Sequence, residues 1–91
     1  MLSNKEIEFF TRSKLALEVL GELEKQSYMA QILSKKLNKH RPVISRIFSR
    51  LKELGFVECI NEESSNFRPY TLTRKGKVKF KELKEFFQIG D

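Results

Sequence analysis

Apolar residues recur at helical spacing along most of the 91-residue chain. Ser3 and Glu6 have the spacing of a capping box, which predicts that the first helical segment begins there and runs to about Leu23, with a break near residues 11–13. Its main apolar face consists of Leu15, Ala16, Val19, Leu20 and Leu23. A second, thinner stripe consists of Ile7, Phe10 and Leu17. Two apolar stripes on one helical segment predict that it packs against two neighbouring surfaces.

A short second helix is expected from Tyr28 to Leu37, with Ser27 as its N-cap. Its inward-facing positions are Met29, Ala30, Leu33 and Leu37. Asn38 follows, and asparagine tolerates the left-handed backbone conformation of a tight turn. The pattern therefore predicts that another helix begins only a few residues later.

The third helix is the best-marked element of the sequence. It begins near Arg41 and Pro42, because a proline fits the first turn of a helix. Its broad apolar stripe consists of Ile44, Ile47, Phe48, Leu51 and Leu54. Gly55 supplies the left-handed residue that ends a helix, and Phe56 is expected to fold back onto Leu51.

A hairpin and a last helix complete the pattern. Residues 56–60 and 67–72 read as strands on either side of a polar turn at 61–66, and Pro69 should leave one side of the second strand unpaired. Thr73 is the expected cap of a helix to about Gln88. One domain is expected over residues 1–91, mainly α with a small β-hairpin (α+β), divided into 1–23, 28–54, 56–72 and 73–88.

The charge of the chain is concentrated in its centre. Eighteen basic and twelve acidic residues give a net charge of +6, which suggests a polyanionic partner. Residues 30–52 contain no acid and seven basic residues: Lys35, Lys36, Lys39, Arg41, Arg46, Arg50 and Lys52. A solvated face without a ligand is the plain alternative.

Cys59 is the only cysteine, which excludes an intrachain disulfide and fits a reducing compartment, so a cytoplasmic location is expected. Its apolar surroundings in the sequence favour a buried structural thiol. No signal peptide or membrane-spanning segment is expected, because no stretch approaches about 20 apolar residues.

Two short helices joined by a tight turn, the second of them basic, form a helix-turn-helix candidate. Steps of about 100° per residue place Pro42, Ser45, Arg46 and Ser49 opposite the apolar stripe of the third helix, with Arg50 and Lys52 at its flanks. Arg46 is the candidate for bidentate contact with a guanine edge, and Ser45 and Ser49 let the backbone come close. Phosphate contact is expected from Lys35, Lys36, Lys39, Arg41 and Arg50.

Residues 33–58 resemble the motif of winged helix-turn-helix transcriptional regulators of the MarR/ArsR type. The resemblance rests on the positions Ile32-Leu33, Leu37, Ile44-Ser45-Arg46, Phe48, Leu51 and Gly55-Phe56-Val57. Residues 70–76, Tyr-Thr-Leu-Thr-Arg-Lys-Gly, are similar to the segment that closes the wing in many of these proteins. The match covers residues 28–87, most of the chain.

The resemblance implies a homodimer that binds a pseudo-twofold operator with its recognition helices in successive major grooves. The dimer interface would then be built by the first and last helices, through Ile7, Phe10, Leu17, Phe80, Leu83 and Phe87. The alternative is that these terminal helices pack on each other within one subunit.

Two positions depart from this family pattern. The turn that would form the wing tip carries Glu62 and Glu63, which phosphates repel, and its one nearby cation is Arg68 on the returning strand. His40 stands where serine or threonine usually caps the recognition helix. Its ring would either cap the helix less well or meet a phosphate.

The sequence thus favours a sequence-specific double-stranded DNA-binding transcriptional regulator. The alternatives are a winged-helix module that binds a protein and an architectural factor that binds nucleic acid without sequence preference. An enzyme is not expected, because there is no glycine-rich phosphate loop, no paired histidine and nucleophile, and no metal-ligand cluster. The sequence indicates no cofactor and identifies no small-molecule effector.

Overall fold

The computed structural model describes residues 1–89. It contains five helices and one two-stranded antiparallel hairpin, in agreement with the predicted α+β class. The elements in chain order are α1 (Asn4–Arg12), α2 (Lys14–Lys25), α3 (Ala30–Lys36), α4 (Arg41–Glu53), β1 (Val57–Cys59), β2 (Tyr70–Leu72) and α5 (Arg74–Phe86).

Serine side chains mark the start of both N-terminal helices. Ser3 and Glu6 form the predicted capping box, in which Ser3 Oγ accepts from the Glu6 amide at 3.1 Å and the Glu6 carboxylate accepts from the Ser3 amide at 2.8 Å. The predicted break is at Ser13, which ends α1 and caps α2 by accepting from the Ala16 amide at 3.3 Å. A short hydroxyl side chain that can leave one helix and cap the next explains the position of the break.

The second predicted helix begins later than expected. Tyr28 is not its first residue and Ser27 is not its cap, because Tyr28 is extended and pairs with Tyr70. The Tyr28 amide donates to the Tyr70 carbonyl at 3.1 Å, and the Tyr70 amide donates to the Tyr28 carbonyl at 2.8 Å. The helix therefore begins at Ala30, after Met29, whose side chain makes no capping hydrogen bond.

Left-handed residues end α3 and α4 as predicted. Asn38 has φ of 55°, and the Lys39 amide donates to the Ser34 carbonyl at 2.8 Å, which closes the turn between the two helices. Gly55 has φ of 81°, and the amide of the fully buried Phe56 donates to the Leu51 carbonyl at 2.9 Å. The short turn fixes α3 against α4.

The hairpin is shorter than predicted, because residues 56, 60 and 67–69 lie outside the strands. Val57 pairs with Leu72 and Cys59 with Tyr70. Beyond this register only the Ile60 amide continues the ladder, by donating to the Pro69 carbonyl at 2.8 Å. Pro69 has no amide hydrogen to return, so regular pairing stops there. Cys59 is half-buried rather than fully buried.

The start of α5 is tied to the end of α4. Thr73 Oγ1 caps α5 by accepting from the Gly76 amide at 2.9 Å, and the same hydroxyl donates to the Gly55 carbonyl at 2.6 Å. The helix ends at Phe86, slightly before the predicted Gln88, which has φ of 56°.

The thin apolar stripe and the inner face of α5 are buried by the chain itself. Phe10 and Leu83 are 0% exposed, and Leu17 and Phe80 are almost as completely buried. These four side chains, which the sequence suggested for a dimer interface, lie in the core of one subunit. Ile7 is half-buried, and Phe87 is half-buried against the core. The terminal helices pack within one chain, which was the alternative that the sequence left open.

An ion pair also joins the terminal helices. Lys79 Nζ of α5 lies 3.2 Å from Glu6 Oε1 of α1 and 2.6 Å from the Met1 carbonyl oxygen. Burial alone would raise the pKa of Glu6, but the hydrogen bond from the Ser3 amide and the contact with Lys79 outweigh it and lower that pKa. The Glu6 carboxylate is therefore kept charged in the folded chain.

Candidate nucleic-acid interface

The helix α4 has one buried and one exposed side, as its periodicity predicts. Ile44, Ile47, Phe48 and Leu51 are buried. The opposite side presents Pro42, Arg46, Ser49 and Arg50 to solvent, with Ser45 half-buried beside them. The core thus fixes the orientation of α4 and leaves a polar surface on its other side.

The cations of this surface divide into those with and those without an internal carboxylate partner. On α3, α4 and the turn between them, four exposed cations lie farther than 4.0 Å from any carboxylate oxygen of residues 1–89: Lys35, Lys39, Arg41 and Arg46. These side chains keep their donors for solvent or for an external anion. Arg41 and Arg46 belong to α4 itself, and Arg46 lies on the side of the helix opposite its buried residues.

Lys36, one of the predicted phosphate contacts, has internal partners. Its Nζ lies 2.7 Å from Glu22 Oε1 and 3.1 Å from the Tyr28 hydroxyl. The hydrogen bond to Glu22 and then that to Tyr28 raise the pKa of Lys36, and the bond from Lys36 lowers the pKa of Glu22. Lys36 therefore joins α3 to α2. The sequence offered no signal for this pair, because its members are fourteen residues apart.

The C-terminal half of α4 is also internally paired. Arg50 Nη1 lies 3.6 Å from Glu53 Oε1, and its guanidinium carbon lies 5.8 Å from the centre of the Phe9 ring. Lys52 Nζ donates a hydrogen bond to Glu62 of the loop between the strands. This bond raises the pKa of Lys52 and lowers the pKa of Glu62. The unpaired positive charge of α4 is thus concentrated in its N-terminal half.

His40 precedes α4 in the N-cap position with an extended backbone, and its side chain makes no capping hydrogen bond. Its carbonyl oxygen accepts from the amides of Val43 at 3.0 Å and Ile44 at 3.4 Å. Its ring is exposed beside Arg41 and Pro42. The sequence left two roles open for the His40 ring, a helix cap or a phosphate contact, and the structure shows no cap by the ring.

The loop between β1 and β2 lies along one flank of α4. Glu62 reaches Lys52 near the C-terminal end of the helix, whereas Arg68 lies near the N-terminal end with Arg41 and Ser45. Ser64 Oγ shapes the loop by accepting from the amides of Asn66 at 3.2 Å and Phe67 at 2.9 Å. The neighbouring Cys59 side chain, then Tyr70 and Glu62, raise the pKa of Arg68.

Residues 1–89 contain no group of three His, Cys, Asp or Glu side chains placed to hold a metal ion. None of the described helices is long and apolar enough to cross a membrane. No family model matches the chain, and no curated protein matches it in sequence.

Proposed function

We propose that the protein is a sequence-specific double-stranded DNA-binding transcriptional regulator. In this proposal α3, the turn at Asn38 and α4 act as a helix-turn-helix, and α4 enters the major groove. The observation that carries the proposal is the surface of α4, where Arg46 is exposed, has no carboxylate partner in residues 1–89 and faces away from a fully formed core.

The residues of this surface have different expected roles. The planar guanidinium of Arg46 suits two hydrogen bonds to the O6 and N7 atoms of a guanine. The small side chains of Ser45 and Ser49 let the helix approach the floor of the groove. Lys35, Lys39 and Arg41 are unpaired cations near the entry of the helix and are suited to phosphate contacts, which set register and affinity.

The hairpin would act as the wing of a winged helix. Its loop adjoins α4, and its acidic residue Glu62 is held by Lys52. Because Glu62 forms an ion pair with Lys52, the hairpin presents less net negative charge to a duplex than the sequence implies. We expect most of the binding energy to come from α4.

Selection of bound duplexes from a random pool tests sequence specificity. We expect one enriched sequence, whose affinity falls steeply with salt. Arg46→Ala should cost about 1–3 kcal/mol of binding free energy and relax the preference at one base pair. Lys39→Ala removes one unpaired cation as well, and should weaken all duplexes about equally. Equal binding of selected and random duplexes would rule out the proposed specificity.

A second candidate function is an architectural factor or a protein-binding module. The observation that favours it is the acidic loop beside α4, with Glu62 and the exposed Glu63. An architectural factor would bind duplexes without enrichment in the same selection, and a protein-binding module would retain none of them.

The regulator is proposed to act as a homodimer, since twofold operators match a twofold protein. The side chains available for such contact differ from those that the sequence suggested. On α5, Val78 is 57% exposed and Phe86 is 53% exposed, whereas Phe80 and Leu83 are buried.

A further inference from the structure

A small pocket lies between the N-terminal half of α4 and the loop that precedes β2. We propose that this pocket binds a phosphate group through Arg41 and Arg68. If the protein binds DNA as proposed above, on which this part of the inference rests, the phosphate belongs to the backbone of the duplex.

The pocket is lined by three segments of the chain: residues 29–30 at the start of α3, the first turns of α4, and the end of the loop with Tyr70 of β2. Arg41 and Ser45 are one helical turn apart on α4, so both side chains project to the same flank. Ser65, Asn66 and Arg68 come from the loop and close the opposite side. Two positive side chains that belong to different segments thus face one space.

The size of the pocket suits a phosphate. Its volume is about 130 Å³. Since a water molecule occupies about 30 Å³ in the liquid, the space equals roughly four water molecules. A tetrahedral group of one phosphorus and four oxygen atoms fits within this space.

The chemistry of the lining is that of an anion site. It contains two arginines, three hydroxyl side chains (Ser45, Ser65 and Tyr70) and one asparagine, with Met29 and Ala30 beside them and no carboxylate. Guanidinium groups bind phosphate oxygens through paired hydrogen bonds. In residues 1–89 the Ser45 and Ser65 hydroxyls donate to no protein acceptor, so their donors are available.

The acidic side chain Glu62 of the loop forms its ion pair outside the pocket. Glu62 bonds to Lys52 rather than to Arg68, and no carboxylate oxygen of the described chain lies within 4.0 Å of Arg41 or Arg68. Arg68 instead lies beside the Cys59 side chain. The acidic residue and the phosphate-facing arginine of the loop are thus directed to opposite ends of α4.

The first experiment uses the full chain without DNA. Inorganic phosphate is titrated at constant ionic strength against chloride, and the arginine side-chain NMR signals are followed. We expect saturable shifts of Arg41 and Arg68 with phosphate but not with chloride. The variant Arg41→Gln/Arg68→Gln should lose the saturable response, while Arg12→Gln/Arg74→Gln, which removes two exposed arginines elsewhere, should keep it. Equal responses to phosphate and chloride, or no loss in the first variant, would overturn the site.

The second experiment distinguishes a duplex phosphate from a free one. Each backbone phosphate of a bound duplex is replaced in turn by an uncharged methylphosphonate. One replacement should weaken binding by the wild-type chain and have no effect on the Arg41→Gln/Arg68→Gln variant. That variant should also show a smaller dependence of log affinity on log salt, by about 0.9 for one lost phosphate contact.

The two experiments separate failure of the pocket from failure of the proposed function. Saturable phosphate binding by a chain that binds no duplex would support the pocket and reject DNA binding. Specific duplex binding in which no backbone position is coupled to the two arginines would reject the assignment to a duplex phosphate and keep the proposed function.

Discussion

Gly76 is the residue whose surroundings leave least room for a side chain. A Cβ atom at this position would overlap the carbonyl oxygen of Phe56, which also accepts from the Thr73 amide at 3.0 Å. The first turn of α5 therefore lies directly against the backbone that leads into β1. The glycine is required by this close approach of two backbones, because a neighbouring backbone cannot move aside as a flexible side chain would.

Gly76→Ala should therefore destabilise the protein, whereas Gly21→Ala should stabilise it. We expect a loss of about 1–3 kcal/mol at Gly76 from overpacking. At Gly21, in the middle of α2, the nearest atom to an added Cβ is Phe80 Cζ at 3.6 Å, an ordinary contact. Alanine there should gain about 0.4–1 kcal/mol. Urea unfolding of both variants measures the difference, and equal midpoints would contradict the close approach at Gly76.

At the scale of elements, the pairing of Lys52 with Glu62 joins the end of α4 to the loop of the hairpin. Both side chains are about half-exposed, so the pair contributes little to stability. Its larger effect concerns charge. Lys52 is less available to bind an external anion, and the Glu62 carboxylate lies beside the proposed DNA-binding surface.

Glu62→Gln should strengthen duplex binding, because it removes a negative charge and releases Lys52. We expect the slope of log affinity against log salt to steepen by up to about 0.9 if Lys52 then contacts a phosphate. Glu63→Gln removes the same charge from a residue without an ion pair in residues 1–89, and should change the slope less. Affinities measured over a range of salt test this, and equal slopes for both variants would place Lys52 away from DNA.

The elements that could be predicted from the sequence are those with local signals. Capping by Ser3 and Thr73 and the left-handed residues Asn38 and Gly55 are as expected, because each depends on neighbours within a few residues. The predicted start of α3 at Tyr28 is wrong, because Tyr28 forms backbone hydrogen bonds with Tyr70, forty-two residues away. A pairing that distant leaves no mark in the local pattern.

In the candidate interface, too, features set by local sequence were predicted and features set by distant contacts were not. The exposed face of α4 follows from periodicity, and Arg46 lies where that periodicity places it. The division of the cations into paired and unpaired sets depends on distant partners, such as Glu22 for Lys36. Local spacing therefore located the surface, but tertiary contacts decide which of its charges remain available.

At the scale of the whole molecule, one chain already buries the inner faces of both terminal helices. Phe10 of α1 and Leu83 of α5 are fully enclosed, and the Glu6–Lys79 ion pair holds the two helices together. A homodimer therefore does not need to complete this core. It must instead use apolar side chains that a single chain leaves in solvent.

Val78 and Phe86 lie on one side of α5, since eight residues are slightly more than two helical turns. If the proposed homodimer forms through this side, Val78→Ser/Phe86→Ser should give a folded monomer with weaker operator binding. Because both residues are more than half exposed, the change should leave the core intact. Sedimentation measures the assembly, and circular dichroism verifies the fold.

Ile60 and Phe67 on the hairpin provide the matched control, because they are 55% and 57% exposed and belong to another surface. Ile60→Ser/Phe67→Ser removes two exposed apolar side chains as well and should leave the dimer unchanged. Dissociation by the hairpin variant alone would move the interface to the side of α4, where it would compete with the duplex. A wild-type monomer at all concentrations, still selective for one duplex, would instead mean that each chain reads its site alone, and the operator would then lack twofold symmetry.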